Sequence, residues 1–205
     1  GEGRILFASE TNATALAFGV TDASTTFDGE LHSLTRNMRL AKRGSGQLTL
    51  GEGARAFLHK ENVWTIEAGT LCVNGMVYDG NLRVLPGASL SGHGDVPSVT
   101  VSGGRLAPGD GPGGRTGTLT FGHLGLESNA VVAIDIQGAA DPALHDSLYI
   151  QDWVGGDGKM TMTNCTLEVT LDAIPAEGVP LSIAYAYQKD PPDIQGRFTG
   201  LPEGA

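Results

Sequence analysis

The sequence predicts an all-β solenoid, a stack of short strands with Gly-rich corners, and three observations carry the expectation. Period-two alternation dominates. Helical periodicity is nearly absent, and glycine recurs between short apolar runs. Runs such as Gln47-Leu48-Thr49-Leu50, Thr70-Leu71-Cys72-Val73, Thr118-Leu119-Thr120-Phe121 and Thr166-Leu167-Glu168-Val169-Thr170-Leu171 alternate apolar with small or polar residues. In a strand this puts Leu48 with Leu50, and Leu167 with Val169 and Leu171, on one buried face. Threonine on the other face suits a pleated surface. No segment of eleven or more residues keeps apolar positions at three-and-four spacing without a glycine interrupting it.

Glycine supplies 31 of 205 residues while charged residues make up only 18%. Collagen is excluded because no strict Gly-X-Y period runs through the chain. Simple disorder is excluded because 40% of residues are hydrophobic and sit in short, evenly placed runs. Gly44, Gly46, Gly51, Gly53, Gly69, Gly75, Gly80, Gly87, Gly92 and Gly94 bracket strands of about four to six residues, the punctuation of a sandwich, barrel or solenoid. A degenerate unit, Gly-x-Leu-x-(Leu/Val/Phe) followed by a turn, decides for the solenoid. It appears at Gly46 to Leu50, Gly69 to Gly75, Gly104 to Pro108 and Gly117 to Gly122, with related pieces at Gly87 to Gly92 and Asn164 to Val169. Periods near 20 residues predict roughly ten turns and a rod of about 45–50 Å at strand spacing.

With 13 basic and 23 acidic residues the net charge is −10. The densest basic stretch, Arg36, Arg39, Lys42 and Arg43, is read as solvated charges beside a strand, so nucleic acid is not an expected partner. No apolar run reaches the roughly 18 residues of a membrane span. The opening Gly1-Glu2-Gly3-Arg4 suggests a mature or excised segment.

Several fragments resemble a known family. Lys42-Arg43-Gly44-Ser45-Gly46-Gln47-Leu48-Thr49-Leu50 resembles the K-x-G-x-G-T-L-T-L opening of the autotransporter-associated β-strand repeat. Glu67-Ala68-Gly69-Thr70-Leu71-Cys72-Val73-Asn74-Gly75 resembles the aGTLxVNG strand that follows it. Ser98 to Gly113 is similar to the family's L-x-P-G-x-S-P-G corner. His145-Asp146-Ser147-Leu148-Tyr149-Ile150 resembles x-D-x-L-x-V, and Gly196 to Pro202 resembles G-x-F-x-G-L. The match runs from about Thr26 onward, with residues 1–25 as an N-terminal turn or cap of one 1–205 solenoid domain. The resemblance implies a right-handed parallel β-helix of the passenger or exoprotein type, on the surface of, or outside, a bacterium with an outer membrane. It carries no catalytic motif. Two departures are the absence of a C-terminal membrane barrel and Gly111 in place of the motif's serine.

Residue by residue, no catalytic, cofactor-binding or metal site is assigned, and the chain is not expected to be an enzyme. Asp135, by parity with Ile134 and Ile136, should face outward. The family resemblance implies a recurrent corner position, suited to turn capping, for Asp146, and Asp152 follows it. A glycoside hydrolase would need two carboxylates facing one groove. His32, His59, His93, His123 and His145 lack the short pair spacing of a zinc site and are placed at corners or on the surface. Gly155 to Met160 resembles half of one calcium-binding nonapeptide, without the second aspartate. Gly109 to Gly114 could cradle an anion, but the family resemblance implies a corner there. Cys72 should face outward and Cys165 inward, so no disulfide between them is expected. Asn12 and Asn164 head glycosylation sequons that are assigned no role.

Two functions remain. The first is a structural or interaction module, with other copies of itself, surface glycan or matrix as partners and its ends associating into a filament or sheath. The alternative is a carbohydrate-binding or polysaccharide-degrading β-helix. That would need exposed aromatics beside acids on one face. Trp64 and Tyr185 read as core-facing, Trp153 and Tyr78 remain as candidates, and convergence of Trp153, Tyr149 and Asp152 in a groove would discriminate the two readings.

Overall fold

A computed structural model describes residues 3–7, 15–33, 35–111, 113–138, 144–152, 157–172, 181–186 and 193–201. The alternating runs become strands, and the named strand pairs are parallel. The chain passes through three columns in turn, and each circuit lies beside the previous one. The first circuit is β1 (Arg4–Phe7), β2 (Ala15–Phe18) and β3 (Thr25–Phe27). The second is β4 (Glu30–Ser33), β5 (Arg39–Lys42) and β6 (Gln47–Leu50), and the third β7 (Arg55–Phe57), β8 (Val63–Ile66) and β9 (Gly69–Val73). The fourth is β10 (Met76–Tyr78), β11 (Asn81–Val84) and β12 (Ala88–Gly92). In the next two, one long strand serves the first two columns: β13 (Asp95–Val101) with β14 (Arg105–Pro108), then β15 (Thr118–Leu126) with β16 (Val131–Ile136). β17 (Ser147–Ile150), β18 (Lys159–Met162) and β19 (Thr166–Leu171) form the seventh tier, and β20 (Ala184–Ala186) with β21 (Asp193–Gln195) the eighth. Columns one and two join through β13 and β15 into a 14-stranded sheet, and column three is a 7-stranded sheet.

Eight tiers, not ten, are therefore present among the described residues. Tier-to-tier distances in sequence range from 16 residues (Ser89 to Arg105) to 36 (Tyr149 to Tyr185), because the corners vary in length. Seven steps of about 4.8 Å give a stack of about 34 Å.

Register fixes the core. Column two stacks Leu16, Leu40, Trp64, Leu82, Val99, Leu124 and Met160 in one inward row. Column three stacks Leu48, Leu71, Leu90, Leu106, Val132 and Leu167. Most are fully buried, and each buried aliphatic side chain contributes about 1.5–3 kcal/mol. A parallel stack can hold such rows because like residues sit side by side at strand spacing. Glycine decides one position outright. Gly92 pairs with Val73 in register at φ 111°, and a Cβ there would lie 2.1 Å from the Val73 carbonyl oxygen.

Lys42 departs from its expected solvated role. It occupies an inward row between Phe18 and Ile66 and is buried. Its stem runs through the core, and Nζ donates to the carbonyls of Arg43 (2.9 Å), Gly44 (2.9 Å) and Ala68 (3.1 Å), using all three donors. Burial pushes its pKa below the usual lysine range. Asn62 performs a similar service at another corner. Its Oδ1 accepts from the Met38 amide (2.8 Å), and its Nδ2 donates to Ser33 Oγ (2.6 Å), in full burial.

Tyr185 corrects a second reading. It pairs with Tyr149 on the outer side and is 38% exposed, while Ala184 and Ala186 pair with Leu148 and Ile150 on the inner side. The strand's parity is set by those two alanines, not by Ile183.

Candidate functional site

Two corners differ from the regular turns, and they organise the outer surface. The first leads from column three to column one. In earlier tiers it is short, as at Asn74-Gly75 or His93-Gly94, but after β14 it runs from Gly109 to Gly117. This strap begins where Gly92 and Gly109 exchange two amide–carbonyl bonds of 2.7 Å. It then lies against column three: the Gly113 amide donates to Asp135 Oδ2 (2.5 Å) and Gln137 Nε2 to the Gly114 carbonyl (2.5 Å). Its glycine amides thus meet a carboxylate of the chain itself.

The strap changes the meaning of outward parity. Cys72, Ala107, Ala133 and Asp135 all alternate with core residues, as the sequence predicts, yet all are buried, Cys72 at 2% exposure and Asp135 at 3%. Burial pushes the Cys72 thiol pKa up. Cys165 lies in the core, and both cysteines are free thiols. Asp146 is buried beside Asp135 and caps two backbone amides, Gly117 (2.8 Å) and Asp135 (3.0 Å). Burial raises its pKa to about 6, against the pull of those two hydrogen bonds. The corner-capping role expected of Asp146 is the one it has. His145, expected at a surface or corner, is at a corner but buried, its Nε2 3.3 Å from the Ser182 carbonyl. Asp135 Oδ1 and His145 Nδ1 are buried without a hydrogen-bond partner among the described residues. Asp152 is exposed.

The second corner leads from column one to column two. At tier three it is a five-residue turn, 58–62, that carries Lys60. At tier four it shrinks to Asp79 and Gly80, and both take positive φ (54° and 79°), which lets two residues turn the chain. At tiers five and six no corner remains, since β13 and β15 run straight through both columns. At tier seven residues 151–158 intervene again. The contour is a saddle between the tier-three turn and Asp157 at tier seven. Lys60, Asp79, Gly80, Asn81, Ser98, His123 and Asp157 line the resulting groove of about 340 Å³. Ser98 and His123 are register partners. His123 Nδ1 lies 2.8 Å from Asp157 Oδ1, and Asn81 Nδ2 donates to the Lys60 carbonyl (3.0 Å).

Other candidates disperse. His32, Phe57 and Tyr78 stack along the outer side of column one, with centroids 4.6 and 4.7 Å apart and interplanar angles of 27° and 2°. Phe57 is stacked between the other two and Tyr78 ends the row with one face against Phe57, so Tyr78 is part of a ladder. Trp64 is in the core as expected, 5.6 Å from Phe18, and its Nε1 has no hydrogen-bond partner among the described residues. With Phe18, Phe27 and Leu31 it lines an interior cavity of about 250 Å³ near the first tiers. Trp153, Gly155, Gly156 and Asn12 lie outside the described residues, and with Trp153 so does its expected convergence with Tyr149 and Asp152. Asn164 is exposed at φ 50°. Among the described residues no group of three or more His, Cys, Asp or Glu could hold a metal ion. Among the described residues no helix is long and apolar enough to cross a membrane.

The sequence reading named Asp135, Asp146 and the five histidines but did not bring Ser98, His123 and Asp157 together. The register that aligns them depends on corner lengths, and no local pattern encodes it. No family model, curated protein or solved structure matches the chain.

Proposed function

We propose that the chain is a right-handed parallel β-helix that serves as a structural or interaction module of a bacterial cell-surface or extracellular protein, its copies associating end to end into a filament or sheath. The columns of in-register parallel strands support the β-helix. The observation that carries the association is the state of β19. Val169 and Leu171 continue inward core rows from Ile134 and Ile136. Yet they are 45% and 51% exposed. Beyond β19, column three continues among the described residues only as a single bridge between Cys165 and Phe198. Apolar side chains at core parity beside an unpaired strand edge are what a further strand would cover. In this reading that strand comes from a second copy, whose first tier has β3 paired on one side only, to β6. A head-to-tail contact of this kind does not close, so it propagates. The module needs no catalytic residue.

Sedimentation of the purified chain over a hundredfold concentration range tests the reading. Mass should grow with concentration, and the double substitution Val169→Lys with Leu171→Lys should hold the protein monomeric. A protein that is monomeric throughout, with or without the substitutions, overturns it.

A further inference from the structure

The saddle at the corner of columns one and two has no part in end-to-end association, and its lining has a definite chemical character. We propose that it is a binding site for a short carbohydrate chain, held by hydrogen bonds and without the aromatic platform that the sequence reading required of such a module.

Each side chain that lines it can form hydrogen bonds. Asn81 and Ser98 both donate and accept, Asp79 and Asp157 accept, Lys60 donates, and His123 does either according to its tautomer. A row of vicinal hydroxyls, each donor and acceptor at once, matches that mixture. The groove's size suits it as well. At about 340 Å³ it falls at the small end of ligand sites. Lys60 at tier three and Asp157 at tier seven stand four strand spacings apart, about 19 Å, which leaves room for an extended oligosaccharide across Ser98 and His123.

Other ligand classes fit the lining less well. A phosphate or nucleic-acid ligand calls for an excess of cations, and here Lys60 faces two aspartates, one of them already paired with His123. A peptide is held by apolar pockets or by an open strand edge. The groove has no apolar side chain in its lining, and the strands that floor it are paired on both sides: β13 lies between β11 and β15, and β15 between β13 and β18. The floor is rigid for the same reason, so the polar groups are held in place before a ligand arrives. The His123–Asp157 pair fixes one wall, because the bond at Nδ1 leaves Nε2 as the nitrogen available to a hydroxyl.

The proposal does not rest on end-to-end association, so a strictly monomeric protein leaves it standing. The test is a titration of the ¹⁵N-labelled chain with chitotriose, cellotriose and maltotriose in turn, followed by amide shifts. At least one trisaccharide should move the amides of Asp79, Gly80, Asn81, Ser98 and His123, with a dissociation constant in the roughly micromolar to millimolar range. Asp157→Ala and Asn81→Ala should each weaken that binding by about tenfold. Both side chains are exposed, so their melting temperatures should stay at the parent value. The proposal is overturned if no trisaccharide moves these amides at about 10 mM, or if both variants bind as the parent does. It is equally overturned if inorganic phosphate or a short polar peptide moves them where the sugars do not.

Discussion

The two irregular corners begin from the same kind of surface and finish differently. On column three, the Gly109–Gly117 strap is bonded to Asp135 and Gln137, and the outward-parity residues Cys72, Ala107, Ala133 and Asp135 are buried. At the corner of columns one and two, the intervening residues dwindle to Asp79-Gly80 and then to none, and Ser98 and His123 stay accessible in a groove. Corner length alone separates a sealed outer layer from an open one. A long insert can fold back and supply its amides to a buried carboxylate, and a missing insert leaves a depression between its longer neighbours.

The largest break in this contrast should come from Gly92→Ala, at the root of the strap. The new Cβ would sit 2.1 Å from the Val73 carbonyl oxygen at a φ of 111°. A loss of about 3 kcal/mol or more in urea unfolding is expected. A value near zero would show that the ladder yields there.

Asp146→Ala comes next. It leaves the Gly117 and Asp135 amides without their acceptor and should cost about 2–4 kcal/mol. The two cysteines report where that loss falls. Cys72, on the strap side, should react faster with dithiodipyridine, while Cys165, in the core, should keep its protection until global unfolding. Equal acceleration of both thiols would mean that the strap and the core open together.

A smaller effect is expected from pH. The folded pKa of Asp146 is raised to about 6 from an ordinary value of 3.8, chiefly by burial. A raised pKa means that the folded state holds the proton more tightly. The stabilisation is fully present below the unfolded value and is lost as pH rises through about 6. The stability difference between the parent and Asp146→Ala should therefore widen on acidification from pH 7.5 to 5. A narrowing would reverse the assigned sign.

Smallest of all, Asp157→Ala in the open groove should change unfolding stability by no more than about 0.5 kcal/mol. A cost comparable to that of Asp146→Ala would mean that the groove is a structural seam.

Much of the strand content was legible from residues alone. Leu48, Leu71, Leu90 and Leu106 were recognisable as inward positions because alternation is a local property of a strand. The corner at Asp79-Gly80 was marked by its glycine. Lys42 was not legible as a core residue, since three carbonyls from two different turns must converge before an ammonium can be buried there. Tyr185 was misassigned because two alanines carry too weak an apolar signal to set parity. The groove was the least legible part, for Ser98, His123 and Asp157 lie 25 and 34 residues apart and meet only through register.

The sequence by itself determined that strands are short, that they alternate, and that glycine turns the chain between them, because each depends on a few neighbouring residues and their φ and ψ limits. Tertiary structure alone decided the number of tiers, which outward residues are sealed, and which polar groups share a groove. Those outcomes depend on how corners of unequal length stack at a fixed strand spacing, a relation between residues 16 to 36 positions apart that no local pattern records.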